Sequence, residues 1–459
     1  MAMKRLVILL IVILLVVLAV PVVNLFWEPH MTTALSAENA NPDFIAVAGV
    51  LEKNCSSCHV QDADLPFYAK LPIIGDLIAQ DVQQGLQFMD LIDILDPKGT
   101  PEAGEVSLAK LENVVRQGTM PPLRFTALHW NMNLSSAEQD TLLSWIEQLR
   151  VQHYATGTAA PEFAMEVIQP IPDSVESDPA KVALGRQLYH DTRLSGDNTL
   201  SCASCHGLDK GGTDQVDVST GINGQKGPIN SPTTFNSGLQ FAQFWDGRAG
   251  DLKEQAAGPV HNPLEMGSNW DQVLPKLQAD AEFVASFTAV YPEGLSGDTI
   301  TDAIAEFEET LITPNSPFDK YLKGDADAIG AKAHKGYELF KEAGCANCHV
   351  GKAMGGQSYE RMGRFQEYFA DPEDVDLGRY NVTKAEEDKC CFKVPILRNI
   401  EVTYPYFHDA STSDLHEAVA IMAEHQSRQD LDTMEVDQIV SFLHTLTGEY
   451  EGKSLKPVS

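Results

Sequence analysis

Three times the chain repeats one short pattern: Cys55-Ser-Ser-Cys58-His59, Cys202-Ala-Ser-Cys205-His206 and Cys345-Ala-Asn-Cys348-His349. Cys-x-x-Cys-His is the attachment pattern of c-type haem. The two thiols form thioethers with the porphyrin, and the histidine that follows ligates the iron from below. A redox Cys-x-x-Cys or half of a zinc site uses similar pieces. Three copies, each with its histidine in place, leave no room for coincidence, so three covalently bound haem c groups are expected. The motifs lie 147 and 143 residues apart, which gives each haem about one domain to wrap it.

The expected fold is mainly α, with an N-terminal transmembrane helix followed by three cytochrome c-like haem domains. Strand signals are weak, and short amphipathic patterns recur, as over residues 136–149 and 298–311. Residues 6–27 form an apolar run interrupted only by Pro21 and Asn24, with Lys4 and Arg5 before it. At about 1.5 Å per residue it is long enough to cross a bilayer. The positive flank puts residues 1–5 in the cytoplasm and all that follows Trp27 in the periplasm. A single-pass anchor in a bacterial inner membrane is therefore expected, with a cleaved signal peptide as the alternative. After a linker at 28–44 come a monohaem domain at 45–153 and a Thr/Gly/Ala/Pro-rich linker at 154–171. Two further haem domains at 172–320 and 321–450 and a tail at 451–459 complete the chain. These two domains repeat each other: Pro232, Phe244-Trp245-Asp246 and Asp251-Leu252 match Pro395, Phe407-His408-Asp409 and Asp414-Leu415 at a constant offset of 163.

Lys and Arg number 33 against 65 Asp and Glu, a formal net charge of −32. Such a surface repels phosphate backbones, so nucleic acid is excluded as a partner. Cys390 and Cys391 stand outside the three motifs and next to each other. A vicinal disulfide, pairing with another chain, and two free thiols all remain open for them.

An iron with two protein ligands carries electrons, and one with a single ligand can bind a small molecule, so the sixth ligand decides function. For the first haem, Met120 in Gly118-Thr119-Met120-Pro121-Pro122 is the candidate and Met89 its rival, either being equally suited to a core. For the third, Met422 ends the stripe Leu415, Val419, Met422, which by spacing alone suits a core residue as well as a ligand. Between His206 and Phe244 there is neither histidine nor methionine, and further on stand Gln255 and Glu265, with Trp245 ahead of them.

From about Pro172 to Gly448 the chain resembles the bacterial dihaem cytochrome c peroxidases. The strings that carry the resemblance include Gln225-Lys226-Gly227-Pro228, Phe244-Trp245-Asp246-Gly247-Arg248, Glu308 to Pro314, Leu397-Arg398-Asn399-Ile400 and Tyr406-Phe407-His408. With the leading haem domain and the apolar run, the whole is similar to membrane-bound trihaem peroxidases that take electrons from quinol. His59 from the motif and Met120 from its Pro-flanked loop stand as the first iron's ligands, and the resemblance implies His206 alone for the second iron and His349 with Met422 for the third. It implies Glu265 as distal acid/base, Gln255 as its companion and Trp245 between two haems. It also implies a calcium ion held by Asn230, Thr403 and Pro405. Many members place a histidine in the loop before Gln-Lys-Gly-Pro that blocks the peroxidatic iron. Here that position is Ile222, which cannot bind iron, so an open second haem is expected, with Lys226 or His261 as substitute ligands. The implied activity is reduction of hydrogen peroxide to water, with electrons from membrane quinol or a small cytochrome c. A non-catalytic multihaem electron carrier is the alternative of another class. A relative that oxidises a protein substrate would carry tyrosine in place of Met422.

Overall fold

Apolar residues spaced three and four apart give the described chain its helices, and the computed structural model is mainly helical. It describes residue 5 and residues 18–27, 29, 42–61, 63–95, 104–369 and 376–456. Two units divide it, residues 1–154 and 155–459.

In the first unit, α1 (Pro42–Asn54) turns Val47, Ala48 and Leu51 inward and runs directly into the first motif. The next long helix, α2 (Ile74–Phe88), buries none of its residues. In α3 (Glu105–Gln117), Leu108, Leu111 and Val115 form the inner stripe, and Gly118, at φ +62°, ends the helix. In α4 (Ser136–Leu149) the capping box of Ser135 and Glu138 fixes the start, and Leu142, Trp145 and Ile146 close the core. Arg150 lies buried behind them, paired with Glu105 at 2.6 Å and with Glu112.

The second unit is built twice from the same parts. In one half, α5 (Pro179–Tyr189), α6 (Leu252–His261) and α7 (Gly297–Glu309) surround the second motif; in the other, α8 (Ala331–Glu342), α9 (Leu415–Met422) and α10 (Thr433–Leu443) surround the third. A Cβ on Gly185 of α5 would lie 1.8 Å from the Ala303 carbonyl oxygen of α7, and one on Gly336 of α8 would lie 1.9 Å from that of Gln438 on α10. Glycine at both places lets each helix pair touch backbone to backbone. The 163-residue offset also reaches the backbone: Asn236 and Asn399 are left-handed, as are Phe244 and Phe407. The bridge Gln243–Ala249 recurs as Tyr406–Thr412. Sheet is confined to short pairs, of which β1 (Tyr359–Arg361) and β2 (Cys391–Lys393) run antiparallel with Tyr359 opposite Lys393. Cys390, left-handed and buried, and Cys391, whose thiol donates to the Glu387 carbonyl at 3.4 Å, are separate thiols. A fully buried pair, Arg398 and Asp319 at 2.9 Å, joins the loop after β2 to the helix Pro317–Leu322; Arg398 also donates to the carbonyls of Lys352 and Gln169.

The expected membrane anchor is corrected by the structure. Among the described residues no helix is long and apolar enough to cross a membrane. Residues 6–17 of the apolar run lie outside the described residues. The remainder is helical over 18–24 and then turns. Its end is spent on packing: Asn24 is 1% exposed and donates to the Leu128 carbonyl at 2.8 Å and to the Tyr68 hydroxyl at 3.3 Å. The Trp27 ring lies 5.5 Å from that of His129. A length count over apolar residues does not reveal that the run's described end turns after residue 24 and docks Asn24 and Trp27 on the first unit, with Leu18, Val22, Val23 and Phe26 exposed. The single-pass inner-membrane placement falls with the anchor.

Candidate haem and peroxide site

All three motifs fold the same way. Each cysteine pair lies on one tight turn, and each histidine ring is held from behind by a backbone carbonyl. His59 Nδ1 meets the Met89 oxygen at 2.9 Å, His206 Nδ1 that of Gly212 at 3.4 Å, and His349 Nδ1 that of Met354 at 3.1 Å. A carbonyl can only accept, so the proton sits on Nδ1 and Nε2 keeps the lone pair that a metal needs. Burial lowers the pKa of His206 and takes that of His349 down to about 4, which keeps both rings neutral. Burial also pushes the Cys55 and Cys345 thiols up to about 12 and raises Cys202. These are neutral sulfurs in apolar surroundings, suited to thioethers rather than to the thiolates of a zinc site. Among the described residues no three His, Cys, Asp or Glu side chains converge as a metal cluster would.

Around the first motif, α2 lies against the cysteine turn: a Cβ on Gly85 would be 2.3 Å from the Cys58 carbonyl oxygen. Its C-terminal Phe88 packs on the unit's core, whereas Ile74 and Leu77 are exposed, at 42% and 59%. A flat apolar group bonded to Cys55 and Cys58 fits that wall. Met89 is buried in the core, and its own carbonyl holds His59 Nδ1, so it belongs to the side of the ring that faces away from the iron. Met120 is 37% exposed on the loop after Gly118.

The third motif opens on a large cavity. Cys345, Cys348, His349 and Met422 line it together, and Trp245, Asn230, Thr403 and Pro405 share its wall. Trp245 donates its indole N–H to the Asn230 carbonyl at 2.9 Å, and its ring meets that of His408 edge-on at 6.2 Å. The Asn230 amide nitrogen is taken by the carbonyls of Val216 and Asp217, at 3.1 and 3.3 Å.

At the second motif the candidate acid, Glu265, sits in a tight turn closed by the Gly267 N–H to the Asn262 carbonyl, at 2.9 Å. Asn262 Nδ2 donates to Glu265 Oε1 at 2.6 Å. Burial raises the Glu265 pKa above the usual carboxylate value, with Asn262 and Arg248 pulling the other way. Burial raises the pKa of the Cys205 thiol, and Asp214 and the Glu265 carboxylate add to it. Gln255 and Pro259 lie at i and i+4 on one face of α6, and Asn262 caps the helix just beyond His261. The Ile222 loop is pinned to the acid's own turn, Ile222 N–H donating to the Glu265 carbonyl at 2.7 Å. The Ile222 side chain is buried against Gly196 and Gly267. Lys226 Nζ bonds Thr220 Oγ1 at 2.5 Å, and His261 packs edge-on to Trp270 at 5.3 Å.

Three residues that sequence reasoning missed belong to these surroundings. Pro259 takes the place in α6 that Met422 takes in α9, and the 163 offset points to it directly. Glu308 on α7 is buried, its Oε2 without a hydrogen-bond partner, and it raises the pKa of both Cys202 and Tyr189. Lys393 is a buried lysine in the cavity wall. Nothing in hydropathy marks the last two, because charged residues are ordinarily exposed.

Known proteins match this arrangement. The family model "Di-haem cytochrome c peroxidase" matches residues 179–327, and "Haem-binding domain" matches residues 12–148, beginning inside the apolar run. Cytochrome c peroxidase Ccp of Escherichia coli is 47% identical over 405 residues, 87% of this chain and 86% of its own length. Cytochrome c551 peroxidase of Nitrosomonas europaea is 47% identical over 287 residues, 62% of this chain and 85% of its own. Among solved structures, a MauG-like protein associated with microbial copper homeostasis aligns with a TM-score of 0.55 at 28% identity, covering 61% of this chain and 95% of that one. The chain belongs to the di-haem cytochrome c peroxidase family, as a haem-dependent peroxidase that carries a further haem-binding domain ahead of the di-haem part.

Proposed function

We propose that the protein reduces hydrogen peroxide to water at the second motif, with electrons arriving through the first and third. The observation that supports this reading is the half-buried Glu265 turn bonded to the Ile222 loop, together with an α6 position, Pro259, that offers no sulfur or imidazole donor. Haem c bound at Cys202, Cys205 and His206 supplies the redox chemistry that splits the O–O bond. The chain's own part is the proton. Asn262 occupies Oε1 of Glu265, so Oε2 is the atom that takes a proton from the near peroxide oxygen and returns it to the far one, letting water leave instead of hydroxide. Burial, which raises this carboxyl, suits a group that must hold a proton briefly near neutral pH. Gln255, on the same helix face as Pro259, orients the peroxide.

Two electrons are required for each peroxide. His349 and Met422, brought to one cavity, suit a closed electron-storing haem, and Trp245 on the same wall suits a relay. The first haem, held by Cys55, Cys58, His59 and Met120, is the entry point for electrons from quinol or a small cytochrome c. Periplasmic activity fits c-type attachment, which bacteria complete outside the cytoplasm. Asn230, Thr403 and Pro405 form an all-oxygen set suited to calcium.

Glu265→Gln tests the reading. The variant is expected to retain its covalent haems and lose peroxide turnover by about 10²-fold or more. Turnover near that of the parent removes Glu265 from the reaction.

A further inference from the structure

The wall of the third-motif cavity carries a cation that the reading above does not use. Lys393 ends β2 and is 6% exposed. Its Nζ donates to Gln240 Oε1, a neutral amide. Gln240 is itself held against Gly356, where an added Cβ would lie 2.5 Å from its side chain. The Lys393 backbone N–H donates to the Trp245 carbonyl at 2.7 Å, and the following residues, Val394 to Leu397, continue the cavity wall. Lys393 is thus fixed between the tryptophan and the pocket of His349 and Met422.

What this lysine lacks is a counter-charge. Glu360 is the one Asp or Glu among the described residues lining the cavity, and it pairs with Arg364 at 3.6 Å. Burial alone takes the Lys393 pKa down to about 7, with no carboxylate holding it up. A buried ammonium without an anion costs several kcal/mol, whereas one with an anion in contact is tolerated. A porphyrin seated on Cys345 and Cys348 brings two carboxylates of its own into this cavity.

We propose that Lys393 is the charge partner of a propionate of the third haem and raises that haem's reduction potential. The inference rests on the reading of His349 and Met422 as the third haem's ligands. A fixed positive charge beside a metal that loses positive charge on reduction favours the ferrous form. Lys393 acts through the porphyrin, which makes it a positioning and tuning residue rather than a catalytic one.

The test is a redox titration of the haem-loaded full chain, following all three midpoints in the parent and in Met422→Ala, Lys393→Gln and Lys393→Arg. The midpoint that Met422→Ala moves identifies the third haem. Lys393→Gln is expected to lower that same midpoint by at least a tenfold change in the ferric/ferrous equilibrium, about 59 mV for one electron. Lys393→Arg, which keeps the charge, is expected to stay near the parent. A purely structural role for Lys393 would leave the midpoint unmoved in a variant with full haem content. If Met422→Ala moves a midpoint and Lys393→Gln does not, the ligand reading stands and this inference falls. If Met422→Ala moves none, both fall.

Discussion

Pro259 stands in α6 where Met422 stands in α9: each lies eight residues past the aspartate, Asp251 or Asp414, that caps its helix. The two halves of the di-haem unit therefore present opposite chemistry from the same place. One offers a thioether beside His349; the other offers a ring without a donor, and the Met266 N–H of the Glu265 turn bonds the Pro259 carbonyl at 3.1 Å.

This relationship predicts the resting spectrum. The ferric protein should show one high-spin haem and two low-spin haems, because neither Pro259 nor Ile222 carries a ligand atom. Pro259→Met should convert the high-spin component toward low-spin and reduce peroxide turnover by at least tenfold, with haem content unchanged. Electron paramagnetic resonance of parent and variant checks both. A parent with three low-spin haems would contradict the open site.

The charge buried on α7 sets a pH dependence. Burial raises the Glu308 carboxyl from 4.5 to about 8 in the folded chain. The folded state thus keeps a proton that the unfolded state releases above about pH 4.5. Stability is full below that pH and is lost as pH rises through about 8, by a few kcal/mol. Glu308→Gln removes this titration, so its stability should fall less than the parent's between pH 4.5 and 8.5 and exceed the parent's at pH 8.5. Denaturant unfolding of the haem-loaded protein at pH 4.5 and 8.5 checks the slope.

The Arg398–Asp319 pair is sealed from water, so its partners depend on each other. Arg398→Ala strands a buried carboxylate and should cost about 3–5 kcal/mol of stability. Replacing both, as Arg398→Met with Asp319→Leu, should recover most of that loss. Urea midpoints of the second unit's transition in the full chain distinguish the two outcomes.

Legibility followed the kind of physics each residue uses. The three Cys-x-x-Cys-His motifs are plain in the sequence, because a covalent attachment pattern is contained within five contiguous residues. The repeat was plain as well, since aromatic, acidic and proline positions align without a gap. The roles given to Met422 and Glu265 came from resemblance, not from periodicity, which reads a methionine on a stripe as core. Lys393 and Glu308 were invisible because burial of a charged side chain is decided by distant segments. The apolar run misled for a related reason: Asn24 and Trp27 pack on Leu128, Tyr68 and His129, partners about 40 to 105 residues away.

The first haem separates the two methionines that sequence alone could not rank. Met89 lends its carbonyl to His59 Nδ1, on the side of the ring remote from the iron, so Met89→Leu should leave the first haem's ligation unchanged and cost under about 1.5 kcal/mol as a volume-conserving core swap. Met120→Ala removes the thioether expected opposite His59. It should convert that haem from low-spin to high-spin and lower its potential, since methionine ligation raises it. Turnover driven by quinol or a small cytochrome should then fall at least tenfold, while an artificial reductant that delivers electrons directly to the third haem still supports peroxide reduction. Steady-state assays with the two donor types, run beside the spin-state spectra, make the comparison. Equal losses with both donors would place Met120 outside the entry route, and a spectral change in Met89→Leu would move the ligand to the other side of the ring.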